Sequence, residues 1–160
     1  MTRRIAVDTT YILPSLGVKV KELSEEDLGE LFGQLLAEGY ETALSDVSLI
    51  EALGKALRHA IRSEEMMGIV ERGCLSILTS ERFQILTHAT PSTVEIALDL
   101  RKNGLDDLFD CLITGTAIAQ SEGFITEDAE IPKLVKETDY AYFPIWNLKE
   151  FRKRHHTDDR

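Results

Sequence analysis

Short apolar stretches typical of buried strands alternate with longer amphipathic stretches typical of helices along this 160-residue chain. The first strand pattern is Ile5-Ala6-Val7, and apolar residues then repeat at helical spacing from Leu28 to Leu36, after a helix-start signal at Ser24. Alternation of this kind favours a parallel sheet with helices on both faces. The sequence therefore predicts a three-layer α/β/α fold with a central parallel sheet.

The rest of the chain continues the same alternation. Further strands are predicted at 42–45, 83–87, 124–126 and 140–145, and further helices at 46–62, 64–78, 91–103 and 105–119. The buried side of the last of these helices is predicted to consist of Leu105, Leu108, Phe109, Leu112 and Ile113.

Composition limits the chain to one globular domain. Its mass is 18.0 kDa with 43% hydrophobic and 29% charged residues, and no apolar run approaches the roughly 18 residues of a membrane span. We predict a domain over residues 1–150, a basic and polar tail over 151–160, no membrane association and a cytoplasmic location. Cys74 and Cys111 have neither CxxC nor zinc-ligand spacing, so neither a disulfide nor a zinc site is expected.

The net charge argues against general binding of nucleic acid. Eighteen basic against 28 acidic residues leave 18 − 28 = −10, whereas binding to phosphates depends on positive charge. Any activity on nucleic acid must therefore be local. It requires a basic patch beside the acids, or metal ions that reverse the sign of the site.

Acidic residues follow several of the predicted strands. Asp8 ends the first strand, Glu51 lies within the first two turns of the helix after the second, and Asp128 follows the strand at 124–126. Asp110 lies on the helix before that strand. Parallel sheets bind ligands beyond the carboxyl ends of their strands, and carboxylates are preferred ligands of Mg²⁺ and Mn²⁺. These ions can activate water against a phosphodiester, so no histidine is needed as general base.

Four motifs around these acids resemble, in their order, the PIN domain family. They are Val7-Asp8-Thr9-Thr10, Ser48-Leu49-Ile50-Glu51, Asp110-Cys111-Leu112-Ile113 with Ala117, and Phe124-Ile125-Thr126-Glu127-Asp128. The resemblance extends from Ile5 to about Trp146. It implies a PIN-like nuclease domain that uses Mg²⁺ or Mn²⁺ as an endoribonuclease. Many members of the family are toxins of toxin–antitoxin pairs.

The resemblance assigns roles to individual residues. Asp8, Glu51, Asp110 and Asp128 match the four metal-binding and catalytic acids of the family. Thr126 matches the hydroxyl residue before the last acid, and Thr9 or Thr10 the small polar position after the first. The stretch between Glu51 and Pro91 is longer than in the smaller members, which leaves their dimer interface without a clear counterpart.

Other residues have competing interpretations. Lys55 and Arg58 follow Glu51 at i+4 and i+7, where they either hold substrate phosphates or form an ordinary exposed helix face. Asp106 and Asp107 are rivals of Asp110, although a position near a helix start also suits compensation of the helix dipole. Glu127 and Glu130 are predicted to face solvent, with contact to a second metal ion as the alternative. The basic residues of the tail are either a solvated end or a surface that steers RNA.

Two functions other than a ribonuclease are compatible with the sequence. One is a catalytically silent PIN-like module that binds RNA or protein. The other is a HAD-like phosphatase, which requires an aspartate two residues after the first and has Thr10 there instead. For the ribonuclease, the expected partners are RNA, an antitoxin that covers the pocket with an arginine-bearing segment, and a second copy of the chain in a homodimer.

Overall fold

The computed structural model describes residues 2–155 and builds them around one sheet. The strands are β1 Arg3–Val7, β2 Tyr40–Ser45, β3 Phe83–Leu86, β4 Gly123–Ile125 and β5 Ile145–Trp146. The α-helices are α1 Glu25–Ala37, α2 Asp46–Ala60, α3 Glu64–Thr79, α4 Pro91–Lys102, α5 Leu108–Gln120, α6 Glu130–Val135 and α7 Leu148–His155. Two short 3-10 helices, Thr9–Tyr11 and Leu13–Leu16, follow β1.

All five strands are parallel and lie in the order β3-β2-β1-β4-β5. The chain builds outward from β1 through β2 to β3, and then returns to place β4 on the other side of β1. Ile5 accordingly pairs with Thr42 in β2 and with Gly123 in β4. The strand order therefore reverses between β1 and β4. In open parallel sheets the crevice beyond this reversal is where ligands bind.

Helices cover both faces of the sheet, as the alternation of patterns predicts. Ile5 and Val7 belong to one core with α1, α2, α3 and α7, whereas Ala6 between them belongs to a second core with α4, α5 and α6. Successive strand residues point to opposite faces, so an apolar run such as Ile5-Ala6-Val7 is needed where both faces are buried. The predicted three-layer α/β/α architecture is confirmed.

Capping residues determine where helices α1 and α5 begin. Ser24 and Asp27 form the expected capping box at the start of α1. Asp107 caps α5 by accepting hydrogen bonds from the backbone amides of Phe109 (2.7 Å) and Asp110 (3.3 Å). A close contact then fixes α5 against α4, because a Cβ atom at Gly115 would lie only 2.9 Å from the carbonyl oxygen of Thr93.

Two details of the predicted elements are wrong. Leu108 and Phe109 are 63% and 43% exposed, because α5 begins only at Leu108 and its first turn projects beyond the core. The last strand contains only Ile145 and Trp146, since turns occupy the preceding Tyr140–Tyr142 segment.

The segment around residue 151 continues a helix. Residues 148–155 form α7, and Phe151 is completely buried in the core that contains Ile5 and Val7. Residues 156–160 of the predicted tail lie outside the described part of the chain. Within the described part, no helix is both long and apolar enough to cross a membrane.

Candidate functional site

Asp8 lies at the carboxyl end of β1, beside the reversal in strand order. Its side chain is only 8% exposed, and its two oxygens accept hydrogen bonds from the Thr9 amide (2.7 Å) and the Thr126 hydroxyl (2.6 Å). Burial raises the pKa of Asp8, and the negative charge of Glu51 raises it further. The two hydrogen bonds and the positive charge of Lys55 oppose this shift.

Glu51 reaches the same region from α2. One of its carboxylate oxygens accepts a hydrogen bond from the Thr9 hydroxyl, and the other forms an ion pair with Lys55 at 2.6 Å. Thr9 thereby links two acids, since its amide contacts Asp8 and its hydroxyl contacts Glu51. Lys55 supplies the one ammonium group that directly contacts any of these carboxylates in the described part of the chain.

Asp110 approaches from α5, and the pKa of its carboxyl group is also raised. Its pKa is raised to about 7, first by burial and then by the negative charges of Asp8, Asp107, Glu51 and Asp128. Its carboxylate accepts no hydrogen bond from the residues that the structure describes. The other three predicted acids therefore lie within electrostatic reach of Asp110, and its raised pKa lets Asp110 hold a proton near neutral pH.

Thr126 connects the acids of β1 and β4. Its hydroxyl donates to Asp8 and accepts a hydrogen bond from the Asp128 amide at 3.1 Å. Asp128 itself is exposed, and its carboxylate accepts from the Glu130 amide at 2.8 Å. Asp128 thus lies at the mouth of the site, whereas Asp8 lies at its floor.

The other predicted residues lie in different positions. Arg58 contacts none of the four acids, and its Nε donates to the carbonyl oxygen of Gly54 at 3.3 Å. Asp106 extends into solvent and pairs with Arg101, while Asp107 caps α5 and influences Asp110 through its charge. Glu130 is exposed, as predicted.

The sequence analysis missed two hydrogen bonds that Glu127 accepts beside the site. The hydroxyl of Tyr11, a completely buried side chain, donates to Glu127, which also accepts a hydrogen bond from the Leu148 amide at 2.9 Å. Burial and the charges of Glu127 and Asp8 raise the pKa of Tyr11. Glu127 is exposed, as predicted, and by these hydrogen bonds it also ties the loop after β4 to α7. No local pattern reveals a contact between residues 116 positions apart.

Two buried hydroxyl groups near the acids have no hydrogen-bond partner among residues 2–155. Ser48 precedes Glu51 by about one turn of α2, and Thr114 follows Asp110 by about one turn of α5. Both side chains are fully buried, and buried hydroxyls usually make a hydrogen bond. The sequence motif around Glu51 contains Ser48, but neither hydroxyl was singled out as a functional residue.

The chemistry of these groups fits a divalent cation, although the observed arrangement does not assemble a finished metal site. Carboxylates and hydroxyls are hard oxygen donors of the kind that Mg²⁺ and Mn²⁺ prefer. Among residues 2–155, however, no three Asp, Glu, His or Cys side chains are close enough to hold an ion as they stand. Glu51 instead directs its oxygens to Lys55 and Thr9.

The fold and the acidic crevice define a class of protein: a parallel α/β domain with a carboxylate cluster at the reversal of strand order. Solved structures of other proteins share this fold. VapBC2 from Rickettsia felis, solved bound to a DNA fragment from its promoter, has a TM-score of 0.60 and 16% identity over 90% of this chain and 98% of that one. FitAcB from Neisseria gonorrhoeae has a TM-score of 0.59 and 15% identity over 90% and 97%. PAE2754 from Pyrobaculum aerophilum has a TM-score of 0.59 and 16% identity over 98% and 92%.

These neighbours are PIN-domain toxin–antitoxin proteins, so the chain has the PIN fold. The resemblance drawn from the four acidic motifs is thereby confirmed at the level of the fold. No protein-family model and no curated protein matches this sequence.

Proposed function

We propose that this protein is a divalent-metal-dependent endoribonuclease whose site consists of Asp8, Glu51, Asp110 and Asp128. The observation that carries the proposal is geometric: Thr9 hydrogen-bonds both Asp8 and Glu51 at the reversal of strand order, and the charges of Asp8, Glu51 and Asp128 all act on Asp110. Evolved proteins rarely keep such mutual repulsion without a compensating ligand, and perturbed carboxyl groups in a crevice are typical of functional sites. Mg²⁺ or Mn²⁺ is the compensating ligand that this donor set favours.

Each residue has a specific part in the proposed mechanism. Asp8, Glu51 and Asp110 would hold the ion at the floor of the crevice, with Asp128 at its mouth. Thr126 and Thr9 orient the carboxylates of Asp8 and Glu51 through their hydroxyls. When bound, the ion supplies an activated water and stabilises the leaving oxygen of the phosphodiester. Lys55, beside Glu51, is positioned to contact a phosphate oxygen of the substrate.

The structural neighbours support a place for this protein in a toxin–antitoxin pair. We therefore propose an antitoxin that covers the crevice, with a guanidinium group that satisfies the carboxylates. A homodimer is proposed as the assembly, because two-fold dimers are the commonest closed form.

One observation favours a second function, a PIN-like module that binds RNA or protein without cleaving it. The ion pair between Lys55 and Glu51 already places a positive charge among the acids, and no finished metal site is assembled. In a silent module this arrangement would be permanent. In the nuclease, Glu51 becomes available to a cation when Lys55 releases it.

Metal dependence separates the two functions. Purified protein incubated with a structured RNA should cleave it in Mg²⁺ or Mn²⁺ and leave it intact in EDTA. Cleavage that persists in EDTA would instead reveal a contaminating, metal-independent ribonuclease. If RNA binds but stays intact under every metal condition, the silent module is the correct function.

Replacing Lys55 by Met is expected to tighten binding of Mn²⁺ by roughly 3- to 10-fold. The substitution removes a positive charge 2.6 Å from Glu51, and one lost favourable charge interaction near a protein surface is worth on the order of 1 kcal/mol. Isothermal titration calorimetry measures the change directly. Lys55→Arg is the matched control because it keeps the charge, and its affinity should stay near that of the unmodified protein. Equal affinities for the Met and Arg variants would contradict a competition between Lys55 and the ion.

A further inference from the structure

Positive charge is segregated along one face of α2, beginning at the acidic site. Lys55, Arg58 and Arg62 follow Glu51 at intervals of four, three and four residues, so they form a line along one side of the helix and its final turn. No acidic residue occurs from 52 to 62, although Glu64 and Glu71 of α3 line a cavity together with Arg62. At 1.5 Å per residue the line extends about 16 Å from Glu51.

A neighbouring loop adds further positive charge to this face. Lys19 and His59 line the same cavity of about 270 Å³, which lies between the loop after the second 3-10 helix and the carboxyl-terminal half of α2. Lys21 follows two residues later in that loop. Lys19, Lys21, Arg58, His59 and Arg62 are together called the basic face below. Because Lys19 and His59 are about 40 residues apart in sequence, no local pattern predicts that they lie close together.

The guanidinium charges of the basic face are not neutralised by acids within the described residues. Arg58 and Arg62 form no ion pair with the residues that the structure describes, as is also true of Arg72 and Arg82, whereas Arg3, Arg4, Arg101 and Arg152 each pair with an acid. Lys19 and Lys21 likewise have no ion pair within residues 2–155. The net charge of the chain is −10, so its overall electrostatic potential is negative. Unpaired cations beside the acidic crevice reverse the sign of that potential locally.

We propose that the basic face binds the phosphate backbone of a single RNA strand and leads it along α2 into the acidic site. A single line of cations matches one backbone, whereas a duplex presents two. The strand would cross Arg62 and Arg58 first and reach Lys55 next to the carboxylates. This proposal rests on the proposed ribonuclease function, because it gives that activity the positive surface that the overall composition lacks.

Binding can be measured apart from cleavage. In an Asp8→Asn background, a fluorescently labelled single-stranded RNA of about 12 nucleotides is titrated at several salt concentrations, with the full chain and Mn²⁺ present. The test variants are Arg58→Gln with Arg62→Gln, and Lys19→Gln with Lys21→Gln. The matched control is Lys133→Gln with Lys136→Gln, which removes the same charge at α6, away from the basic face.

Each test pair is expected to weaken binding by roughly 10-fold and to reduce the salt slope by about 1 to 2, while the control stays within about twofold. An unlabelled duplex of the same sequence should compete poorly. Equal losses in test and control variants, a lack of RNA binding, or a duplex that competes as well as the single strand would each overturn the proposal. Charge-dependent binding by a protein that never cleaves RNA would uphold the basic face and refute the nuclease.

Discussion

Replacing Asp8 by Asn is expected to lower divalent-dependent RNA cleavage by more than about 100-fold, since even residues that only support metal ligands typically contribute 10- to 100-fold. Asp8 lies at the floor of the crevice and contributes a charged oxygen donor there, whereas an amide keeps the shape and loses the charge. Initial rates of cleavage of a defined RNA in Mg²⁺ and Mn²⁺ measure the effect. Rates of the Asn variant near those of the unmodified protein would exclude Asp8 from the metal site.

The same substitution should leave the fold intact. The Asn side-chain oxygen can still accept from the Thr9 amide, and removal of a buried charge relieves repulsion from Glu51. We expect a change in stability of about 1 kcal/mol or less. Asp106→Asn is the matched control for activity, because Asp106 is an exposed acid paired only with Arg101 and its loss should not alter cleavage.

The stability of the metal-free protein is expected to fall as pH rises from about 4 to about 7. Asp110 has a pKa of about 7 in the folded protein against an ordinary value of 3.8. Between these two pKa values the folded state keeps a proton on Asp110 that the unfolded state has released. The stabilisation that results is fully present below pH 3.8 and is lost as the pH rises through about 7. Because Asp110 is partly exposed, solvent screening limits the contribution to about 1 to 2 kcal/mol. The melting temperature should therefore drop by roughly 3 to 6 °C.

Asp110→Asn is the control for this pH effect. Melting curves in EDTA between about pH 5 and pH 8 should be flatter for the Asn variant, because its side chain does not titrate. Addition of about 1 mM Mn²⁺ at the upper pH should raise the melting temperature of the unmodified protein and have little effect on the variant. Parallel pH profiles, or no stabilisation by Mn²⁺, would contradict an electrostatically strained metal pocket.

The sequence was most informative where local pattern determines position. A carboxylate directly after an apolar strand must lie at the edge of a parallel sheet, which is why the positions of Asp8 and Asp128 followed from periodicity. The contact of Lys55 with Glu51 follows equally from helical spacing. Helical periodicity wrongly predicted that Leu108 and Phe109 are buried, because both lie on the exposed first turn of α5, beyond the packed core.

Such patterns could not predict contacts between residues that are distant in sequence. The hydrogen bonds of Tyr11 with Glu127 and of Thr126 with Asp8 each join residues more than 100 positions apart, and only the strand order brings them together. The cavity shared by Lys19 and His59 depends in the same way on how the loop after the second 3-10 helix packs on α2. Binary patterning specifies which face of an element is buried, but not which element lies beside it.

The pairing of β1 with β4 has a consequence for the newly made chain. Asp8 is synthesised 118 residues before Thr126, which orients its carboxylate. Parallel strands so distant in sequence pair late because a long loop must close first. The acidic crevice therefore cannot form on a nascent chain until most of the domain has left the ribosome, and a chain interrupted before β4 would carry all the residues of β1 without their site.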